Sequence, residues 1–222
     1  MQSLNEQAIE LIQKGEIETA LKLLNEQIEK NPEDPAAYIN FGNILARFEE
    51  VEKAERFYQK ALTLDENAGA AYYALANLYY NQERFKEAAV LYEKALKAGL
   101  DDHDAYFMLG MSFMNNDQVK LAVPYLQRAA ELSKEDAEVH FQFGLALAKL
   151  EHGTEAVSQL KRAVELDPEH ADALYNLGVA YAGFEEDAQA ALSCFEKAVE
   201  VQPDHYLALN GREMMKQAID GN

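Results

Sequence analysis

No tryptophan, one cysteine (Cys194) and only five prolines occur in the 222-residue chain. A single thiol excludes a disulfide framework and any cysteine-based zinc site, and it fits a reducing cytosol. Positive charge is scarce too: 20 Lys and Arg stand against 39 acids, a formal charge of −19. Phosphate contacts need clustered Lys and Arg, so nucleic acid is excluded as a partner. No apolar run approaches the ~18 residues that span a bilayer, so no membrane association is expected. The opening MQSLNEQAIELIQKG has neither a basic n-region nor an apolar h-region, and does not read as a signal peptide. What is present is the 49% hydrophobic and 27% charged mixture of a soluble globular protein. The length allows one large domain or two ordinary ones. A soluble, cytoplasmic, mostly helical protein is expected.

The chain repeats itself. Gly42, Gly110, Gly144 and Gly178 fall on a ladder of 34-residue steps whose remaining slots hold Ala8 and Ala76. Twelve residues after these slots come Ala20, Ala54, Ala88, Ala122 and Ala156, and seven further on Ala61, Ala95, Ala129 and Ala163. The sixth unit keeps the pattern after one inserted residue, with Ala191 and Ala198. Units therefore span about 1–34, 35–68, 69–102, 103–136, 137–170 and 171–205, with a tail over 206–220. In the third unit Tyr72, Leu75, Ala76 and Tyr79 follow the i, i+3, i+4, i+7 template, as do Phe85, Ala88, Ala89, Tyr92, Ala95 and Leu96. The polar stretch Asn81–Arg84 separates the two runs, and breakers such as Asn31-Pro32, Asp167-Pro168 and Gln202-Pro203 close the units. Each unit reads as a hairpin of two helices, A and B, about 13 residues or ~20 Å long. Small residues on A should meet small residues on B, letting the backbones approach, while Tyr38, Phe41, Tyr58 and Tyr92 fill the wider gaps. One hairpin cannot bury both faces, so units must stack.

These features resemble the tetratricopeptide repeat (TPR): the 34-residue period, Leu109-Gly110 and Leu177-Gly178, Tyr79 and Tyr181 at the eleventh position, the two Ala positions and the closing Pro. The likeness covers residues 1–205, and the chain as a whole is similar to small stand-alone bacterial members of the family. It implies an all-α fold, a right-handed TPR superhelix of six hairpins plus a C-terminal capping helix, forming one domain over 1–222. Helices A would line a concave groove. Several positions depart from the pattern. Gln7 and Gln27 replace apolar residues, which suits a terminal repeat. Pro124 lies within a helix B and should bend it. Gly15 is the one conformationally permissive residue at a hairpin turn, where later units carry Glu49, Glu83, Asp117 and Glu151. In the tail, Leu209, Met214 and Ala218 form an apolar stripe, with Arg212, Glu213 and Lys216 where a further helix B would dock, so the tail reads as a solvating cap.

Catalytic signatures are missing. There is no nucleotide-binding fingerprint and no H-E-x-x-H, and the five His residues are dispersed. Asp101, Asp102 and Asp104 lack the further ligands of a calcium loop and read as helix caps. Cys194 has no His-Asp constellation at recognisable spacing. No enzyme activity, metal or cofactor is expected.

The resemblance makes the groove the candidate site, lined by positions 2, 5, 6, 9, 12 and 13 of each helix A. The groove residues expected to bind peptide are Asn40, Asn43, Arg47, Tyr73, Asn77, Tyr80, Asn81, Phe107, Met108, Met111, Asn115 and Phe141. Asn side chains offer donors and an acceptor to a peptide backbone. Asn40, Asn43 and Asn77, with Asn176, are also habitual family residues, so both roles stay open for them. Met108, Met111 and Met114 with the aromatics form an adaptable apolar patch. Only Arg47 and Lys149 bring positive charge to the groove, three units apart, so the carboxylate clamp of some TPR domains is missing. The expected function is a non-catalytic scaffold that binds an apolar, neutral or basic segment of a partner protein. A self-assembling homo-oligomer is the alternative.

Overall fold

The computed structural model describes residues 4–221. All regular structure among the described residues is helical. Backbone contacts gather the chain into two compact units, residues 1–101 and 102–222. Unit one holds α1 (Leu4–Gln13), α2 (Ile17–Lys30), α3 (Pro35–Arg47), α4 (Val51–Leu64), α5 (Gly69–Asn81) and α6 (Phe85–Lys97). Unit two holds α7 (His103–Asn115), α8 (Val119–Leu132), α9 (Ala137–Lys149), α10 (Gly153–Leu166), α11 (Ala171–Ala180), α12 (Ala188–Val201) and α13 (Tyr206–Asp220). Within each unit a helix A packs on its own helix B, and that helix B packs on the next helix A. The odd-numbered helices also touch one another, α1 with α3, α3 with α5, α7 with α9 and α9 with α11.

The glycine ladder works differently from the expected meeting of small residues. Each position-8 residue faces a large side chain on helix B, Tyr58, Leu126, Leu160 or Phe195. A Cβ on Gly42 would lie 2.6 Å from Tyr58, and one on Gly144 only 2.8 Å from Leu160. Gly110 and Gly178 are equally tight against Leu126 and Phe195, at 2.7 Å. The small residue therefore makes room for a buried knob. The Ala pairs of helix B, such as Ala54 with Ala61 and Ala156 with Ala163, are fully buried alongside.

All the hairpin turns share one geometry, and Gly15 is no exception among them. Glu49, Glu83, Asp117, Glu151 and Glu186 adopt positive φ between 54° and 61°, as Gly15 does at 79°. In the second hairpin the Glu49 amide donates to the Ala46 carbonyl and the Glu50 amide to the Leu45 carbonyl, a Schellman closure. Acidic residues pay the left-handed cost here because the two closing hydrogen bonds and the packed helices leave no other path. Pro124 does not end its helix: α8 runs through it from Val119 to Leu132, one backbone donor short. Gln27 owes its polarity to its neighbour rather than to a free end, since its amide donates to the Asp34 carboxylate at 2.9 Å.

Starts of helices A are capped by a repeating set of acceptors. Asp34, Asp102 and Asp136 accept from the backbone amides that open α3, α7 and α9. His170 and His205 replace them at α11 and α13, where Nδ1 accepts from Ala173 and Ala208 at 3.3 and 3.1 Å. An accepting Nδ1 places the ring proton on Nε2, which faces Glu138 at 3.4 Å for His170 and Asp172 at 3.1 Å for His205. His140 is buried and bonded at both nitrogens, to Gln159 and the Lys134 carbonyl. His140, His170 and His205 thus have structural roles.

The inserted residue of the sixth hairpin appears as a π-helical turn, Tyr181–Glu185, at the end of α11. The closing bond there runs from the Asp187 amide to the Tyr181 carbonyl, one residue further than in the other hairpins.

Two outcomes follow. Gly144→Val should destabilise the protein by about 2 kcal/mol, overpacking against Leu160 outweighing any gain in helix propensity, read from urea denaturation. His205→Ala should lower the opening free energy of α13 by about 1 kcal/mol, read from amide hydrogen exchange, while His205→Asn keeps most of the cap.

Candidate peptide-binding surfaces

In unit one the expected groove positions of helices A carry mainly amides and tyrosines. Asn40 donates to Asn5 on α1 at 2.7 Å. The Asn43 carbonyl oxygen accepts from the Tyr58 hydroxyl at 2.9 Å, and that of Asn77 accepts from the Tyr92 hydroxyl. These two Asn residues thus tie helix A to helix B, and their N–H₂ ends face the surface. Burial pushes the Tyr58 hydroxyl well above its ordinary range. Burial does the same to Tyr92, with smaller contributions from Tyr73 and Tyr80. Both phenols remain protonated donors. Tyr73 packs edge-on against Tyr92 and Tyr80 against Phe85. Arg47 and Asn81 are exposed.

Unit two presents a more apolar strip. A cleft of about 440 Å³ is lined by Met111, Met114 and Asn115 of α7, Gln142, Leu145 and Lys149 of α9, Asn176 and Val179 of α11, and Phe184 of the π turn. Met108 and Phe107, further along α7, are half-buried. Phe141 does not belong to this surface. It is 6% exposed, packs with Val157, Leu160 and Leu177, and lies 4.7 Å from the His170 ring. The histidine cap of α11 covers it, so Phe141 is core.

A second cleft, about 450 Å³, was missed in the sequence. It is formed by Tyr175 and Val179 of α11, Ala182 and Gly183 of the π turn, and Leu207, Asn210, Met214 and Met215 of α13. The tail is a helix A without its helix B: Ala208, buried, occupies the slot held by Ala37, Ala71, Ala105 and Ala173 in earlier hairpins. Met214 and Ala218 of the expected apolar stripe are exposed, Met214 at 64%. Leu209 and Met215 are part-buried and Gly211 packs against Phe195. Carrying the repeat phase past residue 205 with its insertion would have revealed Leu207 and Met214 at groove positions.

Known proteins bear on this arrangement. The family described as the cilia and flagella-associated protein 70 C-terminal domain matches residues 8–180, and the tetratricopeptide repeat itself matches 171–205. The chain belongs to the tetratricopeptide-repeat family. YrrB, described as a TPR protein with an unusual peptide-binding site, is 47% identical, with a TM-score of 0.80 over 86% of this chain and 97% of that one. PilF of Pseudomonas aeruginosa (19% identity, TM-score 0.79, 95% and 96% covered) and MamA (23%, 0.72, 78% and 93%) share the fold. No curated protein matches at a significant level. TPR proteins generally act in protein–protein interactions, and the helical-hairpin fold expected from the repeat pattern is the one observed. No helix among the described residues is long and apolar enough to cross a membrane.

Chemistry of other kinds finds little footing on this TPR scaffold. Asp102, His103 and Asp104 lie within metal-ligating reach of one another. The His103 ring already pairs with both carboxylates, at 3.1 and 3.3 Å, and Asp102 caps α7. Cys194 is 9% exposed on α12, and burial pushes its thiol up, reinforced by Asp187 and partly countered by Lys197. A raised thiol is mostly protonated at neutral pH, and the thiolate is the reactive form. Iodoacetamide should therefore label Cys194 slowly in the folded protein and quickly in urea, with mass spectrometry following the adduct.

Proposed function

We propose that this chain is a non-catalytic, cytoplasmic scaffold that holds a peptide segment of a partner protein against its helix A faces. The observation that carries the reading is the cleft of about 440 Å³ in unit two, where Met111, Leu145 and Val179 supply apolar wall and Asn115, Gln142 and Asn176 supply amides. That mixture suits a peptide, whose side chains need apolar contact and whose backbone needs donors and acceptors. Methionine adapts its shape to different anchors at little cost. The description of YrrB as having a peptide-binding site supports the same reading. Phe107 and Met108 extend the apolar surface along α7. In unit one, Tyr73 and Tyr80 with Asn40, Asn43, Asn77, Asn81 and Arg47 form a separate strip of the same kind. The partner segment is neutral or basic, because a chain of net charge −19 repels acidic ligands. The same charge opposes self-assembly, the rival reading.

Peptides selected from a random displayed library on the purified full chain should share apolar anchors in a neutral or basic context. The double variant Met108→Asp, Met111→Asp should bind them more weakly by about tenfold for each anchor lost, with unchanged helicity by circular dichroism. Undiminished binding would sink the assignment.

A further inference from the structure

Unit two departs from the 34-residue repeat at one place, and that place borders both of the clefts described above. The π turn at Tyr181–Glu185 absorbs the extra residue. It leaves open space around Gly183 and seats Phe184 so closely on α10 that a Cβ on Gly153 would come within 2.7 Å of it. Phe184 is thereby fixed as a wall of the first cleft. Ala182 and Gly183 form a wall of the second. The turn is a partition.

The far wall of the second cleft has its own anomaly. A terminal helix must be polar where the next repeat would dock, which keeps the array soluble. On α13 that requirement is met by Arg212, Glu213 and Lys216. Yet Leu207 and Met214, on the groove side, remain 56% and 64% exposed. Capping does not call for large apolar side chains there. They continue the surface that Met111 and Val179 begin.

We propose that the inserted residue and α13 together build a second anchor cleft, so that unit two binds a basic peptide with two large apolar side chains. The inference rests on the peptide-binding reading above and specifies its ligand. Charge decides the occupant. Residues 102–222 carry 21 acids and 9 Lys or Arg, and Glu185, Glu186 and Asp187 flank the partition, all exposed. A basic segment is attracted, whereas a second copy of this chain would bring −19 against −19. The clefts lie on either side of α11. Packed helices sit about 10 Å apart, and an extended chain advances about 3.4 Å per residue, so the anchors are about three residues apart.

The test uses the full chain and synthetic fluorescein-labelled Lys/Ser/Gly peptides carrying one Leu, or two Leu at varied spacing, followed by anisotropy. Two-Leu peptides at a spacing of about three residues should bind at least about tenfold tighter than one-Leu peptides. Met214→Asp, at a solvent-exposed position, should remove that advantage and leave one-Leu binding in place. Deleting Gly183, which restores the 34-residue period, should remove it as well. If two Leu bind no better than one, or Met214→Asp leaves the preference intact, the second cleft is overturned. Continued sensitivity to Met111→Asp would then keep the first-cleft reading standing. If no peptide binds the wild-type chain, both readings fall.

Discussion

Close approach of two helices around one buried side chain is the constraint from which the rest follows. Tyr58, Leu126, Leu160 and Phe195 can enter their hairpins only because Gly42, Gly110, Gly144 and Gly178 stand opposite. Ala76 holds the same slot in the third hairpin and is fully buried, as is Tyr92. Placing the knob fixes the rotation of helix A about its axis. Positions on the rest of helix A are then free of the knob's steric demand. Surface chemistry can vary from hairpin to hairpin while the scaffold repeats. That freedom permits amides and tyrosines on α3 and α5 and methionines on α7.

Part of the high negative charge belongs to this scaffold. Acids close the left-handed turns at Glu49, Glu83, Asp117, Glu151 and Glu186, and they cap helix starts at Asp34, Asp102, Asp136 and Asp187. Carboxylates at helix starts also sit favourably in the helix dipole. That part of the charge is thus an outcome of ending and starting helices many times.

Periodic features were legible in the chain: the hairpins, their phase, the core slots, the capping Asp102 and the helix A faces. Each depends on local sequence repeated in register, so one correct phase assigns many residues together. What escaped was non-periodic. The left-handed Glu and Asp turns were invisible because propensity alone puts glycine there, and tertiary closure overrides propensity. Phe141 was assigned to the groove because its position is a groove position in the family. It is buried in a cluster with Val157, Leu160 and Leu177, with the His170 ring against it. Met214 was read only as part of an apolar stripe, because the tail was treated as a solvating cap rather than as an unpaired helix A.

The fates of Phe107, Phe141 and Tyr175 show how this scaffold tunes its surface. All three occupy the fifth position of a helix A. Phe141 lies under the His170 ring and Tyr175 lies 5.2 Å from the His205 ring, each against the cap of the next helix A. Phe107 precedes a helix capped by Asp136 and stays half-buried. The imidazole does two things that the carboxylate does not. It covers an aromatic neighbour, and through Nε2 it ties down an acid on the preceding helix A, Glu138 or Asp172. A His at a cap therefore adds a ring contact to the aromatic one hairpin earlier. The rest of the packing decides whether that aromatic is buried, as Phe141 is, or half-buried and in a cleft wall, as Tyr175 is.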